Sequence, residues 1–241
     1  MDKQLLSIGE AAKMLGISVD TLRRWDKKGI IKPVRGGETG HRYYQKSDLY
    51  LFTNDLLNIA EQWVTAKHGA EPNHDFYCPT SDVFQSRLVR MQNELIKIKD
   101  LSTPFSLIVA VAGEIGNNSF DHNIGNWRDV PGIFFAYDLK KQLIVLADRG
   151  QGILKTLQRA KPELNSDSEA IRTGFTEIIS GRAPEARGNG LKFVRKRIVT
   201  NPMSLLFESG DAKLNLKKGD TNLTISVQDS YVYGCIAMIQ F

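Results

Sequence analysis

Long apolar runs are missing from this chain of 241 residues. None approaches the ~20 residues that a membrane-spanning helix needs, so a membrane partner is not expected. The first residues, Met1 to Ser7, lack the apolar core of a signal peptide. Cysteine is scarce: Cys78 and Cys235 stand far apart and form no metal-ligand spacing. A disulfide framework is thereby excluded, and a reducing cytoplasm with two free thiols is the expected setting. No Gly-x4-Gly-Lys-Ser/Thr run occurs, which rules out a Walker-type phosphate loop. Internal repeats and low-complexity tracts are absent, so a solenoid is excluded as well.

Charge is present, and unevenly spread. Residues 1–50 hold ten Lys/Arg against six Asp/Glu, while the remaining residues hold 22 against 21. A solvated surface would explain such an excess. It also fits a phosphate-facing module joined to a near-neutral body.

At the N-terminal end, Leu6 to Leu15 has the pattern of a short helix, with Ser7 and Glu10 spaced as a capping box. Gly16-Ile17-Ser18 breaks the period, and Ser18 can cap a second helix that carries Asp20 in its first turn. Leu22 and Trp25 would turn inward. Gly29 and Pro33 end that helix. Arg35 to Tyr44 is a glycine-rich hairpin candidate, and Ser47 can cap a third helix through Leu49, Leu51 and Phe52. Two short helices around a tight turn make a helix-turn-helix whose second helix offers Thr21, Arg23, Arg24, Lys27 and Lys28 to a major groove. Arg42, Tyr43 and Tyr44 suit a wing against the DNA backbone.

The wording of this region is more specific than its helices. Ile8-Gly-Glu-Ala-Ala12, Thr21-Leu-Arg-Arg-Trp25, Gly29-Ile-Ile-Lys-Pro33 and Gly40-His-Arg-Tyr43 follow in order. Residues 5–52 or so resemble the winged helix-turn-helix DNA-binding domain of the MerR family, and the domain is taken as residues 1–52. The resemblance implies double-stranded DNA as partner, transcription regulation as role, and Thr21, Arg23, Arg24 and Arg42 as DNA-facing; Lys27 and Tyr43 join them from the reading of the helix and the wing. MerR regulators usually continue into a long dimerisation helix. Here residues 53–75 are read as a connecting helix through Trp63 that loosens at His68 to His74.

Three runs dominate the second half: Glu114-Ile-Gly-Asn-Asn118-Ser-Phe-Asp121-His122, Asp148-Arg-Gly150-Gln-Gly152 and Arg187-Gly188-Asn-Gly190-Leu191. On a helix, Glu114 and Asn118 share a face, with Asp121 one turn on. An amide oxygen is a hard metal ligand and a carboxylate beside it can orient water. Asp148 ends an apolar strand pattern, where a buried carboxylate can accept from an exocyclic amine. Gly188 and Gly190 precede an amphipathic helix, and such amides make an anion site. The stretch 180–186 before them could close as a lid. Taken singly, each run has an ordinary reading: a polar helix end, an Asp-Gly turn, a surface loop.

Taken in order, they resemble the N, G1 and G2 boxes of the GHKL superfamily of gyrases, heat-shock chaperones, histidine kinases and MutL repair proteins. Residues 76–241 would then form an α/β sandwich, a mixed sheet covered by helices on one face, in an α+β chain. The resemblance implies ATP and Mg²⁺ as cofactors, with Asn118 on the metal and Asp148 on adenine. It places Asp121, Gly150, Gly152, Gly188, Gly190 and Leu191 around the nucleotide. Glu114 would be the general base of an ATPase. Tyr233-Gly234-Cys235 weakly resembles the family's final Gly-Thr, with Cys in place of Thr. A histidine kinase would need a phosphoacceptor His on a preceding dimerisation helix; His68 and His74 both lie in the loose stretch, which argues against one. The expected function is an ATP-dependent DNA-binding regulator, acting as a homo-oligomer or with a protein partner. The alternative is a GHKL ATPase or anti-sigma-like kinase tethered by its helix-turn-helix.

Strand candidates complete the reading: residues 132–138 and 142–147 around a turn, then 204–208, 213–216, 222–227 and 235–241. Phe84, Leu88, Met91, Leu95 and Ile98 form a core-facing helical stripe.

Overall fold

The computed structural model describes residues 5–14, 18–27, 31–36, 41–46, 49, 56–178 and 190–241. The side chains of Thr21 and Trp25, together with Lys28, Gly29, Gly40, Ser47, Leu51, Phe52, Gly188 and the 180–186 stretch, lie outside the described residues. The chain divides into two units, residues 1–59 and 60–241.

In the first unit, β1 (Leu5–Ser7) leads into α1 (Ile8–Met14) and α2 (Val19–Lys27), followed by β2 (Val34–Gly36) and β3 (His41–Gln45). The Ser7–Glu10 capping box forms in both directions. The Ser7 amide donates to Glu10 Oε2 at 2.8 Å and the Glu10 amide to Ser7 Oγ at 3.4 Å. The three strands make an antiparallel sheet in the order β1-β3-β2, with Arg35 opposite Arg42. Ala11, Ala12, Leu22, Ile31, Tyr44 and Leu49 form a small core. This is a helix-turn-helix with a hairpin wing.

The boundary at 59/60 falls within α3 (Leu56–Thr65), so residues 60–75 group with the second unit. There α4 (Ser81–Leu95) starts at Thr80, whose side chain accepts from the Val83 amide, and buries Phe84, Leu88, Met91 and Leu95. Ile98 lies beyond its end. The long helix α5 (Phe105–Asn123) buries Ile108, Val111, Ala112, Ile115 and Phe120. Three shorter helices follow: α6 (Gly152–Leu157), α7 (Asp167–Thr176) and α8 (Gly190–Thr200).

Five strands build the second sheet: β4 (Tyr77–Cys78), β5 (Ile133–Asp138), β6 (Leu143–Asp148), β7 (Ser204–Lys217) and β8 (Thr224–Gln240), in the order β4-β5-β6-β8-β7. Every pairing is antiparallel, which corrects the expected mixed sheet. Short turns join β5 to β6 and β7 to β8 and favour hairpins, while β4–β5 and β6–β8 are antiparallel across long connections. The four C-terminal strand candidates merge into two long strands. Ser209, Gly210 and Asp211, with residues 228–231 opposite, interrupt the apolar alternation where the ladder is irregular between Ser209 and Ala212. Ile133, Phe135, Ile144 and Leu146 pack with α4 and α5 in the main core. On the opposite face, Phe134, Ala136, Val145 and Ala147 are also buried, and the Phe76 ring lies 5.2 Å from that of Phe134.

Candidate functional site

The polar face of α2 carries Arg23, Arg24 and Lys27, all exposed. Arg23 Nη1 also holds Asp20 at 2.9 Å, a surface i,i+3 pair that constrains the side chain little. Tyr43 is exposed on the wing. Arg42 is placed differently from a freely DNA-facing residue. Its Nε donates to Asp26 Oδ2 at 2.6 Å, and Arg35 reaches the same oxygen at 3.3 Å. Asp26 therefore fastens the wing to α2, and its nearly buried carboxylate pushes the Arg42 pKa up. Sequence reasoning missed Asp26, because nothing local in sequence pairs it with a residue 16 positions on.

In the second unit, β6 ends on Asp148, which is 2% exposed. Four donors converge on its carboxylate. Ser119 Oγ reaches Oδ2 at 2.8 Å, while Asn123 Nδ2 and the Gly150 amide reach Oδ1 at 3.2 and 2.9 Å. The Cys235 backbone amide supplies the fourth. They match the ≈ four lone-pair sites that a carboxylate has. Burial nevertheless dominates and raises the Asp148 pKa to about 6. The same burial, with Asp148 beside it, pushes the Cys235 thiol well up, so it is a poor nucleophile.

Asn123, absent from the three runs, organises the turn after Asp148. Its Nδ2 also donates to Ser119 O at 2.8 Å and its Oδ1 accepts from the Gln151 amide at 3.0 Å. Gly150 lies directly against this amide. The signal was present as an i,i+4 step from Ser119. Gly234 is the second residue of the cradle. It has φ +106°, and a Cβ there would stand 2.1 Å from Asp148 O, so β8 needs a glycine to approach β6 this closely. Gly152 starts α6 and faces Ser209, whose Oγ accepts from the Ile153 amide at 3.0 Å.

Glu114 and Asn118 do share a face of α5, with Asn118 Nδ2 3.4 Å from Glu114 Oε1. Gly190, the first residue of α8, sits against them. A Cβ there would fall 1.9 Å from Glu114 Oε1 and 3.1 Å from Asn118 Nδ2, so any side chain at 190 would push the Glu114 carboxylate aside. The structure thus brings Gly190 to Glu114 and Asn118, and Asp148 to Ser119 and Asn123, one helical residue further round α5. It does not bring in every expected residue. Asp121 is exposed, and Leu191 packs on the main core. Burial, with Arg159 nearby, lowers the His122 pKa.

The Asn118 amide oxygen, with Glu114 beside it, fits a Mg²⁺ that takes its remaining ligands from phosphate and water. Among the described residues no group of three or more His, Cys, Asp or Glu could hold a metal by itself.

Arg149 points away from this cradle and is fully buried. Its Nε and Nη2 hold Asp129 Oδ1 and Oδ2 at 2.8 and 2.7 Å. The remaining donors meet the carbonyls of Trp63 and Ala66 at the end of α3. Asp129 also accepts from the Gly69 amide at 2.9 Å. Residues 63–70 are thereby tied to the second unit, so the stretch from His68 that reads as loose in sequence starts from an anchored point. The Arg149 guanidinium depresses the Asp129 pKa far below the usual carboxylate range.

Residues 7–44 match the model of the MerR family regulatory protein. The chain is 38% identical over 63 residues to the type II methyltransferase M.Eco47II of Escherichia coli, covering 26% of this chain and 15% of that protein. It is 43% identical over 44 residues to a probable heavy metal-dependent transcriptional regulator of Haemophilus influenzae, covering 18% of this chain and 34% of the relative. The chain thus spans about a third or less of the length of either curated relative. A MerR family transcriptional regulator from Bacillus cereus aligns at 20% identity over 45% of this chain and 96% of that one. Its TM-score of 0.20 carries no argument about shared fold. The N-terminal region is therefore a MerR-family helix-turn-helix. No helix among the described residues is long and apolar enough to cross a membrane.

Proposed function

We propose that the chain is a DNA-binding regulator whose second unit is a GHKL-like domain binding Mg-ATP and controlling DNA binding by the MerR-like module. The observation that carries this reading is the placement of Asp148. A buried carboxylate closes one end of a cradle on α5, and Gly190 closes on Glu114 and Asn118 along the same helix. Ionised, Asp148 accepts from the adenine amine. Since its four acceptor sites are filled, the amine takes the place of a mobile donor, and the Ser119 hydroxyl is the one free to rotate away. Asn118 holds Mg²⁺ through its amide oxygen. Gly190 offers its backbone amide to the phosphates at the start of α8. Glu114, beside the metal ligand, orients or deprotonates the attacking water.

One winged helix meets few phosphates, so two modules on one duplex bind far more tightly than one. Nucleotide-dependent pairing, with a second copy or with a protein partner, is the lever by which ATP sets DNA affinity. The test is calorimetric titration with a non-hydrolysable ATP analogue and Mg²⁺ on the wild type, Asp148→Asn and Glu114→Ala. Binding is expected for wild type and Glu114→Ala, and a weakening of at least tenfold for Asp148→Asn. Equal heats for all three, or none for wild type, reject the nucleotide site. Turnover by Glu114→Ala at the wild-type rate rejects Glu114 as the base.

A further inference from the structure

The near-balance of charge in the second unit hides a local excess. Between residues 190 and 222 the chain carries seven Lys/Arg and three Asp/Glu. On α8, Lys192, Arg195 and Lys196 recur at three and four residues and share one side, while Val194 and Ile198 face the core. The β7–β8 turn docks at the other end of this helix. The Gly219 amide donates to Val199 O at 2.9 Å, and Arg195 Nη2 donates to Thr221 O at 2.9 Å. This docking sets Lys217 and Lys218, both exposed, alongside α8. The two lysines border a shallow trough lined by Pro202, Met203, Ser204, Gln240 and Phe241.

Acids do not neutralise this ridge. Glu208 is engaged by Lys213 at 2.7 Å, and Asp220 accepts from the Lys217 backbone amide at 2.9 Å. Among the described residues no carboxylate forms an ion pair with Lys196, Lys217 or Lys218. Exposed apolar anchors are lacking too, since Met203 and Phe241 in the trough are themselves buried. The exposed large hydrophobics described in the second unit, Val89, Ile96, Ile124, Ile178, Val227 and Tyr231, all lie on other segments. Protein interfaces draw their energy from buried aromatic and apolar anchors, whereas polyanions are held by flexible point charges.

We propose that Arg195, Lys196, Lys217 and Lys218 form a second DNA-contacting surface, one that takes backbone phosphates without reading bases. It goes beyond the role assigned to the first unit, which supplies base recognition. Phosphate contacts position a protein and add affinity but carry no sequence information.

The experiment uses the full chain with Lys196→Glu and Lys218→Glu combined. Affinity for a cognate duplex and for a scrambled duplex is measured from 50 to 200 mM salt. Both affinities are expected to fall by the same factor, about tenfold or more at the low-salt end. The slope of log affinity against log salt should flatten by about 1.8, close to 0.9 for each phosphate that the variant no longer neutralises. An unchanged slope overturns the proposal, as does a weakening confined to the cognate duplex. So does release of the wild-type ridge by polyglutamate with duplex binding untouched, which would assign the surface to an acidic protein. Arg24→Glu on α2 serves as control: it should lower the ratio of cognate to scrambled affinity, which the ridge variant leaves as it was. Because both lysines are surface residues, the melting temperature stays close to that of wild type.

Discussion

Ser119 donates its hydroxyl to Asp148 Oδ2 at 2.8 Å, joining α5 to the end of β6. This bond, with those from Asn123, Gly150 and Cys235, fixes a carboxylate that water does not reach. Replacing Asp148 with Asn puts an N–H₂ group among four donors, and at least one is left unpaired. Stability should fall by about 1–3 kcal/mol, read by denaturant titration at pH 7.

The Asp148 pKa, raised to about 6 by burial, has a signed consequence. A carboxyl whose folded pKa lies above its unfolded value binds its proton more tightly when folded. Its contribution to stability is full below pH 4 and is lost as pH rises toward 6. Asp129 runs the other way. Its depressed pKa gives stability present above pH 4 and lost as pH falls below it. Chemical denaturation from pH 3 to 7 should therefore show a loss between pH 4 and 6 that disappears in Asp148→Asn. The steeper loss below pH 4 should shrink in Asp129→Asn. If ATP binds as proposed, its affinity rises through pH 6 as Asp148 ionises.

Arg149 and Asp129 form a pair in which the guanidinium is wholly buried. Arg149→Met leaves Asp129 and the carbonyls of Trp63 and Ala66 without their donor. Breaking such a pair costs about 3–5 kcal/mol, and a fall in melting temperature measures it. Amide exchange of Gly69, whose N–H donates to Asp129, should accelerate in the same variant.

Gly190→Ala places a Cβ where Glu114 Oε1 now stands, 1.9 Å away. The start of α8 must withdraw or Glu114 must turn. Affinity for a nucleotide analogue should drop at least tenfold, while the melting temperature changes little because Glu114 is a flexible side chain near the surface. Equal affinity in Gly190→Ala and wild type would remove Gly190 from the site.

Much of the local structure was legible in the sequence. The Ser7–Glu10 box, the α4 stripe and the β5–β6 hairpin rest on short-range spacing, and each forms where its residues indicate. The pairing of Glu114 with Asn118 follows from helical period alone. What sequence hides is long-range. Asp26 meeting Arg42 and Asp129 meeting Arg149 pair residues remote from each other that carry no mutual signature. Asn123 escaped notice because the motif pattern stops at Asp121, although the helix runs on and turns Asn123, not Asp121, toward Asp148. The antiparallel sheet was missed because a resemblance set the expectation, and because β4–β5 and β6–β8 pair across long connections that leave direction open.

The most direct measurement is duplex affinity by fluorescence anisotropy, for wild type and Asp148→Asn, with and without Mg-ATP. ATP is expected to change wild-type affinity by at least fivefold and to leave Asp148→Asn unchanged. Identical binding curves for wild type with and without nucleotide would contradict control of DNA binding by ATP.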